Sequence, residues 1–230
     1  FGANWADYAD TIDERRLGYA TSCLADLVGQ KNLAGRRFLD IGCGSGLHAV
    51  AALRLGAAEV TAIDYDPESV ATTRAMLGRF ASGAAFKVEQ ADILAPPPWL
   101  DRHDVVYSWG VLHHTGSMWR AMANAADLVA PGGLFAFALY RRTALCWAWR
   151  IEKSIYCRAP GPVQDALLRC YMAAYRARLR LLGQDPAAFE RDYAELRGMA
   201  FEHNARDWIG GYPYESARPG EVAKAMRALG

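Results

Sequence analysis

The chain lacks several features that would settle its class at once. No window of about 18 uncharged apolar residues occurs along it, so no membrane-spanning helix is expected. No secretory leader is visible, although the chain opens on Phe1 instead of Met and an upstream segment is therefore expected. Lys and Arg number 26 against 25 Asp and Glu; the net charge of +1 gives no overall field for nucleic acid or an anionic membrane, and neither partner is expected. The five cysteines (Cys23, Cys43, Cys146, Cys157 and Cys170) include no C-x-x-C pair. They read as reduced thiols of a cytoplasmic protein, not as a disulfide frame or a zinc site. Repeats and low-complexity tracts are also missing. What remains is a 230-residue chain, 52% hydrophobic, long enough to bury one substantial core.

Within it, apolar runs and helical patterns alternate. Trp5, Tyr8, Ile12, Tyr19, Leu24 and Leu27 recur at roughly helical spacing, which predicts two short helices or one bent one. Strands are predicted at about 36–41, 59–64, 85–90, 103–109 and 134–140, with helices from about 49, over 67–80 and over 118–129. Asp66 offers an N-cap with Pro67 at the first helical position, and Pro131-Gly132-Gly133 reads as a sharp stop before the fifth strand. Short strand-helix units of this kind argue for a parallel sheet covered on both faces. Ligands of such sheets bind at the carboxyl ends of the strands, where Asp40, Asp64, Asp92 and Trp109 fall.

The stretch Phe38-Leu39-Asp40-Ile41-Gly42-Cys43-Gly44-Ser45-Gly46-Leu47 is strand, tight turn and helix start, with the turn stripped of side chains. A dinucleotide site wants G-x-G-x-x-G, whereas here the third glycine comes one residue early. Asp64, after the second strand, would suit a ribose in either kind of site. Asp40 precedes the first glycine by two residues, giving D-x-G-x-G-x-G.

On that motif the sequence resembles the class I S-adenosylmethionine-dependent methyltransferases. Asp64, Asp92 and Pro131-Gly132-Gly133 extend the resemblance over residues 36 to 140. The flanks Phe1-Gly2-Ala3-Asn4-Trp5, Ser108 to Gly116 and Asp207 to Pro213 are similar to a bacterial branch of the family. The resemblance implies an α/β, Rossmann-like, doubly wound and mostly parallel sheet, with S-adenosyl-L-methionine as cofactor and S-adenosyl-L-homocysteine as product. Asp40, Gly42, Cys43, Gly44, Gly46 and Leu47 would then cradle the methionine and ribose edge, with Asp40 facing the ammonium. Asp64, beside Tyr65, would accept from the ribose hydroxyls. Asp92 and the Ile93 N–H would meet adenine, and the Ser108 and Trp109 carbonyls would lie near the ammonium. Trp5 and Tyr8 either fold over the cofactor or pack as core.

His113 and His114, just past the fourth strand, are the candidate general bases, since histidine titrates near neutral pH, and His113 is preferred for lying nearer the strand end; the competing reading packs one against the cofactor and bonds the other to backbone. No metal-ligand spacing links them to His48, His103 or His203, and no metal is expected. Helical segments at about 143–157, 162–182 and 186–198 replace the alternation. They divide the chain into a cofactor-binding core over 1–140, a helical lid over 141–215 after strand five, and a return helix over 216–230. The lid's basic stripe, with Arg141, Arg142, Arg150, Lys153, Arg158, Arg169, Arg176 and Arg180, either faces an acidic substrate or is a solvated face. Gly210 to Tyr214 reads as a turn. The expected acceptor is an oxygen or nitrogen of a small molecule; RNA or protein is the alternative, although no N/D-P-P-Y loop follows the fourth strand. A homodimer is among the assemblies the sequence allows. The family's last two strands are absent here, and the natural protein is expected to continue past Gly230.

Overall fold

The computed structural model describes residues 2–29, 33–197 and 201–229. Two compact units divide the chain, an α/β unit of residues 1–143 with 215–230 and a helical unit of 144–214.

The α/β unit begins with α1 (Gly2–Asp10) and α2 (Glu14–Val28), so the N-terminal pattern resolves into two helices. They separate at Thr11-Ile12-Asp13, where the Asp13 side chain accepts from the Arg16 N–H and caps α2. Then follow β1 (Arg37–Ile41), α3 (Leu47–Arg54), β2 (Glu59–Asp64), α4 (Pro67–Phe80) and β3 (Phe86–Gln90). After β4 (His103–Trp109) come a 3₁₀ turn at Leu112–His114, α5 (Met118–Asp127) and β5 (Val129–Ala138). All five strands pair in parallel in the order β3-β2-β1-β4-β5, so the order reverses between β1 and β4. Buried on both faces, β1 and β2 read as near-continuous apolar runs. One face packs Leu39, Ile41, Ile63 and Val106 against Met118, Ala121, Met122 and Ala125 of α5.

One boundary differs from expectation. Pro131-Gly132-Gly133 lies inside β5 instead of ahead of it, and the strand ends at Ala138. The register slips from His103↔Val129 to Val105↔Leu134, a bulge that places Pro131 and Gly132 in solvent. A Cβ on Gly133 would stand 2.7 Å from the Asp104 carbonyl oxygen, so only glycine lets the strand close back onto β4.

In the helical unit, α6 (Cys146–Arg158), α7 (Gly161–Leu181) and α8 (Pro186–Arg197) fall where the sequence predicts helices; residue 198, the predicted end of α8, lies outside the described residues. A further helix, α9 (Phe201–Gly210), takes in Gly210, and the expected turn is left to 211–214 with a cis Tyr212–Pro213 bond. The core is aromatic: Tyr156, Leu168, Met172, Phe201 and Ile209, flanked by Tyr171, Tyr175, Phe189, Tyr193 and Trp208. Residues 140–142 and 217 pair backbone to backbone, and α10 (Pro219–Leu229) covers α5 with Val222 and Met226. Among the described residues, no helix is long and apolar enough to cross a membrane.

Candidate active site

Parallel pairing brings every strand's carboxyl end to one edge, and the topological switch falls beside the glycine turn. The turn is fixed by its own backbone. The N–H groups of Gly42 and Cys43 both donate to the Ile63 carbonyl, at 2.8 and 3.1 Å, which ties the turn to β2. Gly42 has φ +77°, and a Cβ there would meet the Val111 side chain at 2.4 Å, so neither conformation nor space admits another residue. Helix α3 opens on Gly46 with no side-chain cap, which leaves its first-turn N–H groups available to an anionic group.

Two carboxylates flank this turn. Asp40 is buried at 3% exposure, and no cation among the described residues pairs with it. Desolvation, and then the charge of Asp64, push its pKa up to about 7. Such a carboxyl group regains its charge readily once a cation arrives. Asp64 accepts from the Gly44 N–H at 3.0 Å through Oδ2 and from the Asp66 N–H at 2.9 Å through Oδ1. Burial raises its pKa, and these two bonds oppose the rise. Asp92 forms its own turn, with Oδ1 accepting from the Leu94 N–H at 2.8 Å. Beside it the buried Ile93 is anchored through its carbonyl by Asn124, at 2.8 Å. Tyr65 is largely exposed, and its carbonyl accepts from Gln90.

Ser108 is buried and donates through Oγ to the Ile41 carbonyl at 3.1 Å, which locks β4 to β1 at the edge. The next residue, Trp109, stacks on Tyr107 with planes 5° apart and is half exposed. Cys43 is buried and burial drives its thiol well above the usual range, so it stays protonated; Thr73 Oγ1 lies 3.2 Å from its sulfur. On the open side of the turn, Trp5 presents its indole to Gly44, where a Cβ would approach ring atoms at 3.2 Å. Tyr8 is buried edge-on to Trp5, so of this pair Trp5 meets the turn and Tyr8 is core. Helix α1 is held there by Asp66, which caps α4 through the Glu68 N–H and also accepts from the Gly2 N–H at 2.8 Å.

Past β4, His113 is buried and its carbonyl accepts from the Glu215 N–H at 3.0 Å, whereas His114 is half-buried. Their rings lie 4.3 Å apart, and Tyr140 joins them, 4.0 Å from His113 and 5.4 Å from His114. Sequence reading missed Tyr140. Because β4 and β5 are neighbours, a residue just past β5 must stand beside the loop that follows β4, and that adjacency was the available signal.

Residues 38–133, the span that carries this turn and these acids, match the family model described as a methyltransferase domain. That span is a methyltransferase domain of the class I S-adenosylmethionine-dependent kind. The family's cofactor is S-adenosylmethionine, and the charges here suit it. A buried carboxyl without a cation matches an ammonium, and an acceptor-only carboxylate at the end of β2 matches vicinal hydroxyls. Among curated methyltransferases, the chain is 32% identical over 120 residues to the ubiquinone biosynthesis O-methyltransferase of Parvibaculum lavamentivorans, a match covering 52% of this chain and 46% of that protein. It is 35% identical over 115 residues to the ribosomal protein L11 methyltransferase of Xanthomonas campestris, covering 49% and 34%. The chain thus spans less than half the length of either relative. Among solved structures, magnesium protoporphyrin IX methyltransferase from Synechocystis aligns over 66% of this chain and 67% of its own, with a TM-score of 0.48 and 22% identity.

Proposed function

We propose that this methyltransferase moves a methyl group from S-adenosylmethionine to an oxygen or nitrogen of a small molecule. The observation that carries the cofactor half is the buried Asp40 beside the glycine turn, poised to ionise against an ammonium. Asp64 would keep its bonds from the Gly44 and Asp66 N–H groups and accept from the ribose hydroxyls with its remaining lone pairs; Asp92 and the Ile93 N–H would meet adenine, and Trp5 would cover the turn. When bound, the cofactor supplies an electrophilic methyl on a sulfonium. The protein's part is to orient the acceptor, exclude water and take up a proton where the acceptor carries one.

His114 takes that proton. It is the accessible member of the pair, while the buried His113 and Tyr140 set its orientation through ring contacts. Acceptor selectivity is assigned to the helical unit, whose basic stripe is only partly committed internally: Lys153 is buried against the Trp208 ring and Arg176 pairs with Glu190 at 2.7 Å, while Arg169 and Arg180 stay exposed. This supports an acidic acceptor.

A protein acceptor is the second reading, favoured by the similarity to ribosomal protein L11 methyltransferases. Incubation with methyl-labelled cofactor and fractionated cell extract separates the two. Label in the small-molecule fraction is expected, with His114→Ala lowering its rate about a hundredfold and leaving S-adenosylhomocysteine affinity unchanged. Label confined to protein or RNA overturns the small-molecule reading.

A further inference from the structure

Helix α6 has two apolar faces, and only one is used inside its own unit. The inner face carries the fully buried Lys153 and Tyr156, with the Lys153 ammonium 3.9 Å above the Trp208 ring. The outer face carries Trp147, Ile151 and Ile155 at intervals of four residues, 68%, 53% and 58% exposed, with Leu145 just ahead of the helix at 56%. At about 100° per residue, these three side chains fall within an arc of about 80°. Arg158 falls inside that arc, donating to the Ser154 carbonyl and lying 5.3 Å over the Tyr212 ring, while Arg150 and Glu152, the helix's sole acid, lie about 60° outside it on opposite sides; all three are exposed.

Helix α7 repeats the theme. Val163, Leu167 and Leu181 are exposed along one stripe, with Arg178 and Arg180 close to its C-terminal end. Residues 144–182 hold seven basic side chains and two acidic ones, so the near-zero net charge of the whole chain hides a strongly basic segment. A solvent-facing row of tryptophan and isoleucine rimmed by arginine is costly in water and matches the headgroup layer of a bilayer. There the indole and aliphatic chains reach the acyl boundary and the guanidinium groups meet phosphates. A second copy of the chain is a poorer occupant, because its own arginine-rimmed face would bring like charges together.

We propose that the outer face of α6 docks the protein on anionic lipid surfaces. This departs from the expectation, drawn from net charge, that no membrane is involved. The helix lies in the interface plane and does not span it, in keeping with its 13 residues. The proposal stands independently of the identity of the methyl acceptor.

The test is co-sedimentation of the 230-residue chain with phosphatidylcholine vesicles, with and without phosphatidylglycerol. Binding is expected only to the mixed vesicles, and to weaken as salt is raised. Trp147→Ala combined with Ile155→Ala should lower the bound fraction at least tenfold, with circular dichroism and S-adenosylhomocysteine affinity unchanged. Arg150→Glu with Arg158→Glu should abolish the preference for the anionic lipid. Equal binding of parent and variants, or no binding to either vesicle, overturns the proposal. So does concentration-dependent self-association that the same apolar substitutions remove, because a second copy then covers the face.

Discussion

In the α/β unit, β1 and β2 are buried along almost their whole length, whereas α7 of the helical unit buries only Leu168, Met172 and Leu179 over 21 residues. The first unit spends its apolar residues on two covered sheet faces, and its polar chemistry is confined to strand ends. The second encloses a small aromatic core and leaves Trp147, Ile151, Ile155, Leu181 and Leu182 in solvent. A site built mainly from backbone turns and carboxylates tolerates almost no change in its residues. A unit built from exposed helical faces has more positions at which a change of side chain meets only solvent.

The sharpest way to break this comparison is Gly42→Ala. The added Cβ collides with Val111 and the residue is held at a left-handed φ, so a loss of about 2–3 kcal/mol in the α/β unit is expected. Binding of S-adenosylhomocysteine should disappear, while hydrogen exchange within residues 144–214 stays as in the parent. Faster exchange throughout both units would show that their stabilities are not separable.

The next effect belongs to the helical unit. Burial lowers Lys153 from 10.5 to about 8, with Glu152, Asp207 and Cys157 opposing the shift. Between about pH 8 and 10.5 the unfolded chain therefore binds more protons at this site than the folded one, and stability rises with pH. The gain is on the order of 3 kcal/mol. Denaturant melts of the parent and of Lys153→Met across that range check it, and the rising difference between them should be absent if the amine is solvated.

A third prediction returns to Asp40. Its folded pKa is raised to about 7, so in the free protein the carboxyl group is largely protonated below that pH. Binding a cation requires the proton to leave. S-adenosylhomocysteine affinity should fall about tenfold for each unit below pH 7, and flatten just above it. By the same sign, the free protein loses stability from this group as pH rises from about 4 to 7. Asp40→Asn should remove the pH slope at lower overall affinity. The smallest effect is expected for Trp5→Ala, a two- to fivefold loss of cofactor affinity from the missing ring face, measured by the same titration.

Legibility in the sequence follows the same division. Asp64 at the end of β2, the Asp66–Pro67 start of α4 and the span of β4 were readable because local chemistry decides them: an N-cap, a proline without an N–H, an apolar run closed by polar residues. Pro131-Gly132-Gly133 was misread as a stop because its meaning is tertiary, the approach of Gly133 to the Asp104 carbonyl. Nearness to the strand end favours His113, whereas its burial beside Tyr140 shows only once β5 is known to lie beside β4. The outward row on α6 was visible only as aromatic-rich helix, since the same spacing serves core and surface until exposure is known.

The central claim is that the turn at Asp40 to Leu47, with Asp64, binds S-adenosylmethionine and not a dinucleotide. Titration calorimetry with S-adenosylhomocysteine and with NAD tests it most directly. Micromolar binding of the first, none of the second, and a loss of some thirty- to hundredfold in Asp64→Ala are predicted, the last from two charge-assisted hydrogen bonds worth about 2–3 kcal/mol together. Binding of NAD at similar strength, or S-adenosylhomocysteine binding that Asp64→Ala leaves unchanged, would contradict it.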